Sequence, residues 1–219
     1  MRLFNDEDLS LFHPMAAFDE EIRERYGKPF ICGVDEVGRG ALSASICAAA
    51  VILRSSAIHI DIKDSKQFSS RDRRSIVAAE ILENIVSHAI AWVDAPTIDE
   101  VGIQEANRRV MLQAISNLEV APGDLVAILD GNPLWPSQIN GVDCVWMPSA
   151  DSLSQAVAAA SIIAKVARDE TMIELAKLHP EYGFDRHVGY GAPEHIEAIK
   201  RYGMIPGIHR RSFIHFVEE

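Results

Sequence analysis

Phe30-Ile-Cys-Gly-Val-Asp-Glu-Val-Gly-Arg-Gly-Ala41 opens as an apolar run and closes on two glycines around an arginine. Residues 30–34 read as a short buried strand, and the glycines mark an irregular turn beyond it. Asp35 and Glu36 stand between the two. Working outward, residues 44–53 are rich in Ala, Val and Ile and read as a second strand, with a third over residues 88–93. A polar turn at residues 63–68 leads into a helix over about residues 70–84. The clearest helix spans residues 103–118, where Ile103, Ala106, Val110, Met111, Ala114, Ile115 and Leu118 form one apolar face. Pro122-Gly123 stops it. Further strands are expected at residues 125–129 and 142–147. A long Ala-rich helix is expected from Asp151 to about Leu178, where His179-Pro180 ends it.

Three early strands, then alternating helices and strands, predict an α/β fold: a mixed sheet flanked by helices. Hairpin-linked early strands would run antiparallel, and later ones parallel through helical crossovers. The chain divides into a leader over residues 1–28, with a helix near residues 18–26, a catalytic domain over 29–180, and a small extension over 181–219. The extension is punctuated by Gly and Pro and holds one helix near residues 193–201.

Composition narrows the function classes. Cys32, Cys47 and Cys144 are odd in number and lack metal-ligand spacing, so they read as buried thiols in a reducing compartment. Neither a signal peptide nor an apolar run of membrane-spanning length is visible, so a cytoplasmic location is expected. The 32 acidic against 21 basic residues leave a net charge of −11, which argues against a broad electrostatic grip on nucleic acid. Residues 186–211 run against that trend, with five Lys or Arg against two Glu.

Four carboxylates fall where regular elements begin or end. Asp35 and Glu36 follow the first strand, Asp130 ends the strand at 125–129, and Asp151 opens the long helix, where the dipole would favour its ionised form. Gathered together they would repel one another unless cations were present. Hard divalent ions prefer such oxygen ligands, and a pair of them suits phosphodiester hydrolysis. Any one of these residues alone would pass as a cap or a turn. Neighbours on a regular strand also point to opposite faces, so Asp35 and Glu36 must lie at its end, or one must act by another route.

Taken in order, the motifs Gly33-Val-Asp-Glu-Val-Gly-Arg-Gly40, Asp64-Ser-Lys66, Leu129-Asp-Gly-Asn132, Ala158-Ala-Ala-Ser-Ile-Ile-Ala-Lys-Val-Ala-Arg-Asp169, Gly189-Tyr190 and His209-Arg-Arg-Ser-Phe213 closely resemble bacterial type 2 ribonuclease H, ribonuclease HII. The resemblance covers residues 30 to 213. It implies a ribonuclease-H-like fold and endonucleolytic cleavage 5′ of a ribonucleotide, in RNA–DNA hybrids or in DNA with embedded ribonucleotides. By position it makes Asp35, Glu36, Asp130 and Asp151 the metal-binding catalytic residues, with two Mg²⁺ or Mn²⁺ ions. Gly38, Arg39 and Gly40 match a loop whose backbone reads the ribose 2′-hydroxyl, and Tyr190 a tyrosine stacked near the junction. Lys66 and Lys165 are candidates for phosphate contacts. A monomer with nucleic acid as its partner is expected.

The sequence departs from that family at several points. Ala41 follows the loop where Pro is frequent, and Leu153 stands where many members have Lys. The usual His-Lys-Gly-Tyr string reads His187-Val-Gly-Tyr190, and Gln67-Phe68 follow Lys66. These changes bear on affinity more than on chemistry. Two other readings compete. An actin-like sugar kinase would need a second phosphate-binding loop and a longer chain. A hybrid-binding protein without turnover would show binding but no product.

Overall fold

The computed structural model describes residues 14–54, 62, 71–131 and 136–217. Strands β1 (Phe30–Val37) and β2 (Ile46–Leu53) run antiparallel, as β2 does with β3 (Ile85–Val93). On the other side of β1, β4 (Leu125–Asp130) is parallel, and β6 (Val142–Met147) is parallel to β4. A two-residue strand β5 (Gln138–Ile139) closes the edge, giving the order β3-β2-β1-β4-β6-β5. The mixed sheet matches the expected fold class, with the early strands antiparallel and β4 and β6 parallel, although β2 and β3 are joined through a helix rather than a hairpin and only the short β5 is described between β4 and β6.

The helices follow from where the apolar residues fall. Strand β2 is Ile-Cys-Ala-Ala-Ala-Val-Ile-Leu and is buried on both faces, so both must be covered. Helix α4 (Ile103–Ser116) lays Ala106, Val110, Met111 and Ala114 against Cys32, Val34 and Ala48 on one face. The opposite face takes α2 (Arg71–Glu83) and the 24-residue α5 (Gln155–Leu178), whose alanines pack on Cys47, Ala49 and Val51. Alanines on both partners bring helix and sheet close. A short helix α3 (Ala95–Val101), capped by Asp94, precedes α4.

Helix α1 (Pro14–Tyr26) covers residues within the leader. Its Ile22 is buried in one cluster with Val126, Ile128, Ala150 and Val157. Beyond α5, the helices α6 (Phe184–His187) and α7 (Pro193–Tyr202) wrap a separate apolar cluster of Met172, Tyr182, Phe184, Ala198 and Ile199.

One element starts later than its sequence suggests. Asp151 does not open the long helix; it sits in a separate 3-10 turn, Ala150–Ser152. Ser149 before that turn is left-handed, and Ser154 is extended. Helix α5 starts at Gln155, with the Ser154 side chain accepting from the Val157 amide at 3.2 Å. Neither Ser149 nor Asp151 is its cap, and the dipole argument for Asp151 fails with that geometry. Lys66, with the expected turn at residues 63–68, lies outside the described residues.

Candidate active site

The site forms where β4 stops short of β1. Parallel pairing between them ends at Val34↔Leu129, while β1 continues its antiparallel pairing with β2 as far as Val37↔Cys47. Asp35 and Asp130 therefore stand side by side, one residue past the last parallel pair, at the carboxyl ends of both strands. Glu36 lies within β1 too, so strand alternation sends it to the other face. Asp35 and Glu36, expected at the end of the strand, instead both lie inside it, paired with Ala49 and Ala48 of β2, because β1 runs on to Val37 after β4 has stopped.

Each carboxylate is held from its own face. Asp35 is buried against α5, where the Ser161 side chain hydrogen-bonds to it, and it accepts the Glu36 amide at 2.8 Å. Glu36 points toward α4 and hydrogen-bonds to the Asn107 side chain, with Arg39 at 4.0 Å. Asp130 accepts the Ala150 amide at 2.7 Å, tying the end of β4 to the turn that holds the buried Asp151.

Electrostatics binds the four into one cluster. Burial, then the charge of Glu36, then Asp130 and Asp151, pushes Asp35 well above the ordinary carboxylate range, against the Ser161 hydrogen bond. Burial raises Glu36 to about 7, with Asp130 adding to it and Arg39 opposing. An all-oxygen anionic set in a desolvated setting fits a hard divalent cation. Among the described residues, no three His, Cys, Asp or Glu stand together closely enough to hold a metal ion by themselves.

Beside the carboxylates, two buried arginines shape the Gly38-Arg39-Gly40 turn. Arg168 of α5 donates from Nε to the Ser45 carbonyl, from Nη1 to Val188 and from Nη2 to Ser43, at 3.1, 2.8 and 3.1 Å. Arg210 donates to the carbonyls of Ala44 and Arg39 at 2.9 and 3.1 Å. Gly38 has φ +89, and a Cβ there would stand 2.2 Å from Arg168 Nε, so only glycine fits. The Leu42 amide donates to the Gly189 carbonyl at 2.8 Å, which joins the loop to Tyr190. The half-open Tyr190 ring lies with the Arg168 guanidinium 5.6 Å from its centroid. Arg39 itself is exposed.

Of the remaining candidates, Lys165 pairs with Asp169 at 2.6 Å on its own helix. Arg210 is fully buried, so it does not add to the basic surface that residues 186–211 suggest. Sequence reading passed over Ser161, Asn107, Arg168 and Arg210. A signal for two of them was present: Arg168 follows Ala164 and precedes Met172 at four-residue steps, and Asn107 sits likewise between Ile103 and Met111. A polar residue inside an apolar helical stripe must find buried partners.

Comparison with known proteins identifies the family and the fold. Residues 32–216 match the family described as Ribonuclease HII. A curated Ribonuclease HII from Chlamydia pneumoniae is 39% identical over 207 residues, which are 94% of this chain and 92% of that protein. The crystal structure of the ribonuclease H2 from Pyrococcus horikoshii OT3 superposes with a TM-score of 0.71 at 26% identity, covering 84% of this chain and 93% of that one. The crystal structure of Bst-RNase HIII in complex with Mn²⁺ shares the fold at 22% identity and a TM-score of 0.62, over 92% of this chain and 71% of that one.

Proposed function

This chain belongs to the ribonuclease HII family, a ribonuclease H endonuclease, and from that premise we propose that it cuts the phosphodiester on the 5′ side of a ribonucleotide, in RNA–DNA hybrids or in duplex DNA with embedded ribonucleotides. The carboxylate cluster of Asp35, Glu36, Asp130 and Asp151 carries the reading. These residues would hold two divalent ions, Mg²⁺ or Mn²⁺. Such ions, when bound, supply an activated water and neutralise charge on the departing 3′-oxygen.

The chain's own groups do the rest. Ser161 and the Glu36 amide fix the Asp35 carboxylate, Asn107 fixes Glu36 and the Ala150 amide fixes Asp130, so the acidic set is oriented before substrate arrives. The Gly38-Arg39-Gly40 backbone, clamped from beneath by Arg168 and Arg210, reads the 2′-hydroxyl that separates RNA from DNA. Tyr190 stacks beside the junction, and exposed Arg39 meets a phosphate. Lys66 and Lys165 are further phosphate candidates, Lys165 after exchanging its partner Asp169. The partner is nucleic acid and the working form a monomer in the cytoplasm. No described helix is long and apolar enough to cross a membrane.

The deciding experiment incubates the folded protein with duplex DNA carrying one ribonucleotide, with Mg²⁺ or Mn²⁺. A nick 5′ of the ribonucleotide, leaving a 3′-hydroxyl and a 5′-phosphate, is expected. Intact substrate under both metals sinks the reading, and binding without product favours the hybrid-binding alternative.

A further inference from the structure

Three buried histidines stand behind Tyr190, and their hydrogen bonds admit one set of tautomers. The Ile205 amide donates to His209 Nδ1 at 2.8 Å, so that nitrogen carries no proton and Nε2 must. His209 Nε2 is 3.3 Å from His195 Nε2 and therefore donates to it. His195 then keeps its proton on Nδ1, which donates to the Tyr190 carbonyl at 2.8 Å. Every group in the chain finds a partner in this polarity and in no other. Burial holds His195 and His209 down to about 4, so both rings are neutral near pH 7, as the chain requires.

His187 completes the set. Its Nδ1 accepts the Gly189 amide at 3.2 Å, which leaves Nε2 to donate to the Tyr182 carbonyl at 2.9 Å. Its ring stacks on His195, with centroids 4.4 Å apart and planes 12° apart. Phe184 packs edge-on against both.

The turn these rings support is closed by the Tyr190 amide donating to the His187 carbonyl at 3.0 Å, but its backbone is strained. Val188 and Gly189 are consecutive left-handed residues, at φ 43 and 83. A β-branched residue disfavours that conformation and persists in it only where the surroundings over-determine it. We propose that His195 and His209 are positioning residues for the ribonucleotide-reading tyrosine: a three-bond chain from the Ile205 amide to the Tyr190 carbonyl fixes the strained Val188-Gly189 turn and, with it, the placement of the Tyr190 ring. This rests on the junction-stacking role given to Tyr190 above.

Two measurements test it. Imidazole ¹⁵N NMR of the unmodified protein near pH 7 should find the proton of His195 on Nδ1 and that of His209 on Nε2; the reverse assignment on either ring overturns the chain. This readout needs no substrate, so it stands even if the protein cleaves nothing, a result that would sink the function alone. In the cleavage assay, His195→Phe keeps the ring stacked against His187 and Phe184 but removes the side-chain donor to the Tyr190 carbonyl, leaving it only the adjacent Ala192 amide at 2.8 Å. KM for the single-ribonucleotide duplex should rise about tenfold, with kcat within about twofold. His195→Asn places an amide N–H where Nδ1 was and should bring KM back to within about threefold of the parent. An unchanged KM in His195→Phe, or no recovery in His195→Asn, refutes the proposal.

Discussion

Replacing Gly33 by Ala probes how closely the catalytic strand and helix α5 must approach. Gly33 lies on the α5 side of β1, two residues before Asp35. An added Cβ would stand 2.0 Å from the Ala156 carbonyl carbon, 2.2 Å from its oxygen and 2.2 Å from the Val157 nitrogen. All three are backbone atoms, so no side chain can rotate away. Ordinary contact begins near 3.4 Å, so the first turn of α5 would have to retreat by about 1.4 Å. Gly33 is not among the positive-φ residues, so the methyl adds no backbone strain and the effect is one of packing alone.

Overpacking of this kind costs about 1–3 kcal/mol. Retreat would also break the bond from the Ala156 amide to Asp19 of α1, 2.8 Å in the structure, for about 1 kcal/mol more. A loss of about 2–4 kcal/mol follows, seen as a fall of about 10 °C in Tm for a chain of this size. The same shift carries Ser161 away from Asp35. Misplacement near 1 Å at a reacting centre costs about a hundredfold, so kcat should fall by that order while the protein stays folded below its midpoint. Gly123→Ala, where a Cβ meets nothing within 4 Å, is the control and should stay within about 0.5 kcal/mol. A Gly33→Ala protein that melts within about 0.5 kcal/mol of the parent and cuts at full rate would show the β1–α5 contact to be loose.

Three further outcomes are expected. Asp35→Asn should abolish cleavage, yet in EDTA it should resist urea better than the parent by about 1–2 kcal/mol, because it removes the most strongly repelled buried charge; a less stable variant would refute the repulsion. Arg168→Lys keeps the charge but loses the three-way fork to Ser43, Ser45 and Val188, and should lower stability by about 3 kcal/mol in urea titrations; a change under 0.5 kcal/mol would make the fork dispensable. His195 and His209 have folded values near 4, below the unfolded 6.5, so the unfolded chain binds more protons between those limits and stability falls as pH drops through that window, by about 3 kcal/mol for one such ring. Asp35 and Glu36 act in the opposite sense, so the test compares slopes: the stability of His209→Gln should fall less steeply with acid than that of the parent, and equal slopes would refute it.

What could be read without the structure was local in kind. The apolar run before Asp35 and the apolar stripe of α4 each encode an element in neighbouring residues, and both appear where expected, with ends moved by a few positions. The four carboxylates were likewise visible, because strand and helix ends are marked by glycines, prolines and short polar side chains. Asp151 shows the limit of that reading. The stretch Ser149-Ala-Asp-Ser-Leu-Ser154 before a helix offers several caps of nearly equal merit, and the left-handed Ser149 with the Ala150 bond to Asp130 selects Ser154.

Sequence alone, then, set the sheet and its helices, the burial of the cysteines and the acidic residues that could gather. Tertiary structure alone decided which face each carboxylate takes, that Asn107 and Ser161 orient two of them, and that Arg168 and Arg210 serve carbonyls rather than phosphates. It also placed Asp19 on the first turn of a helix 137 residues away. The physical reason is range: periodicity records which side of an element is apolar, whereas a buried polar group is satisfied by whatever donor or acceptor the packed chain brings to it.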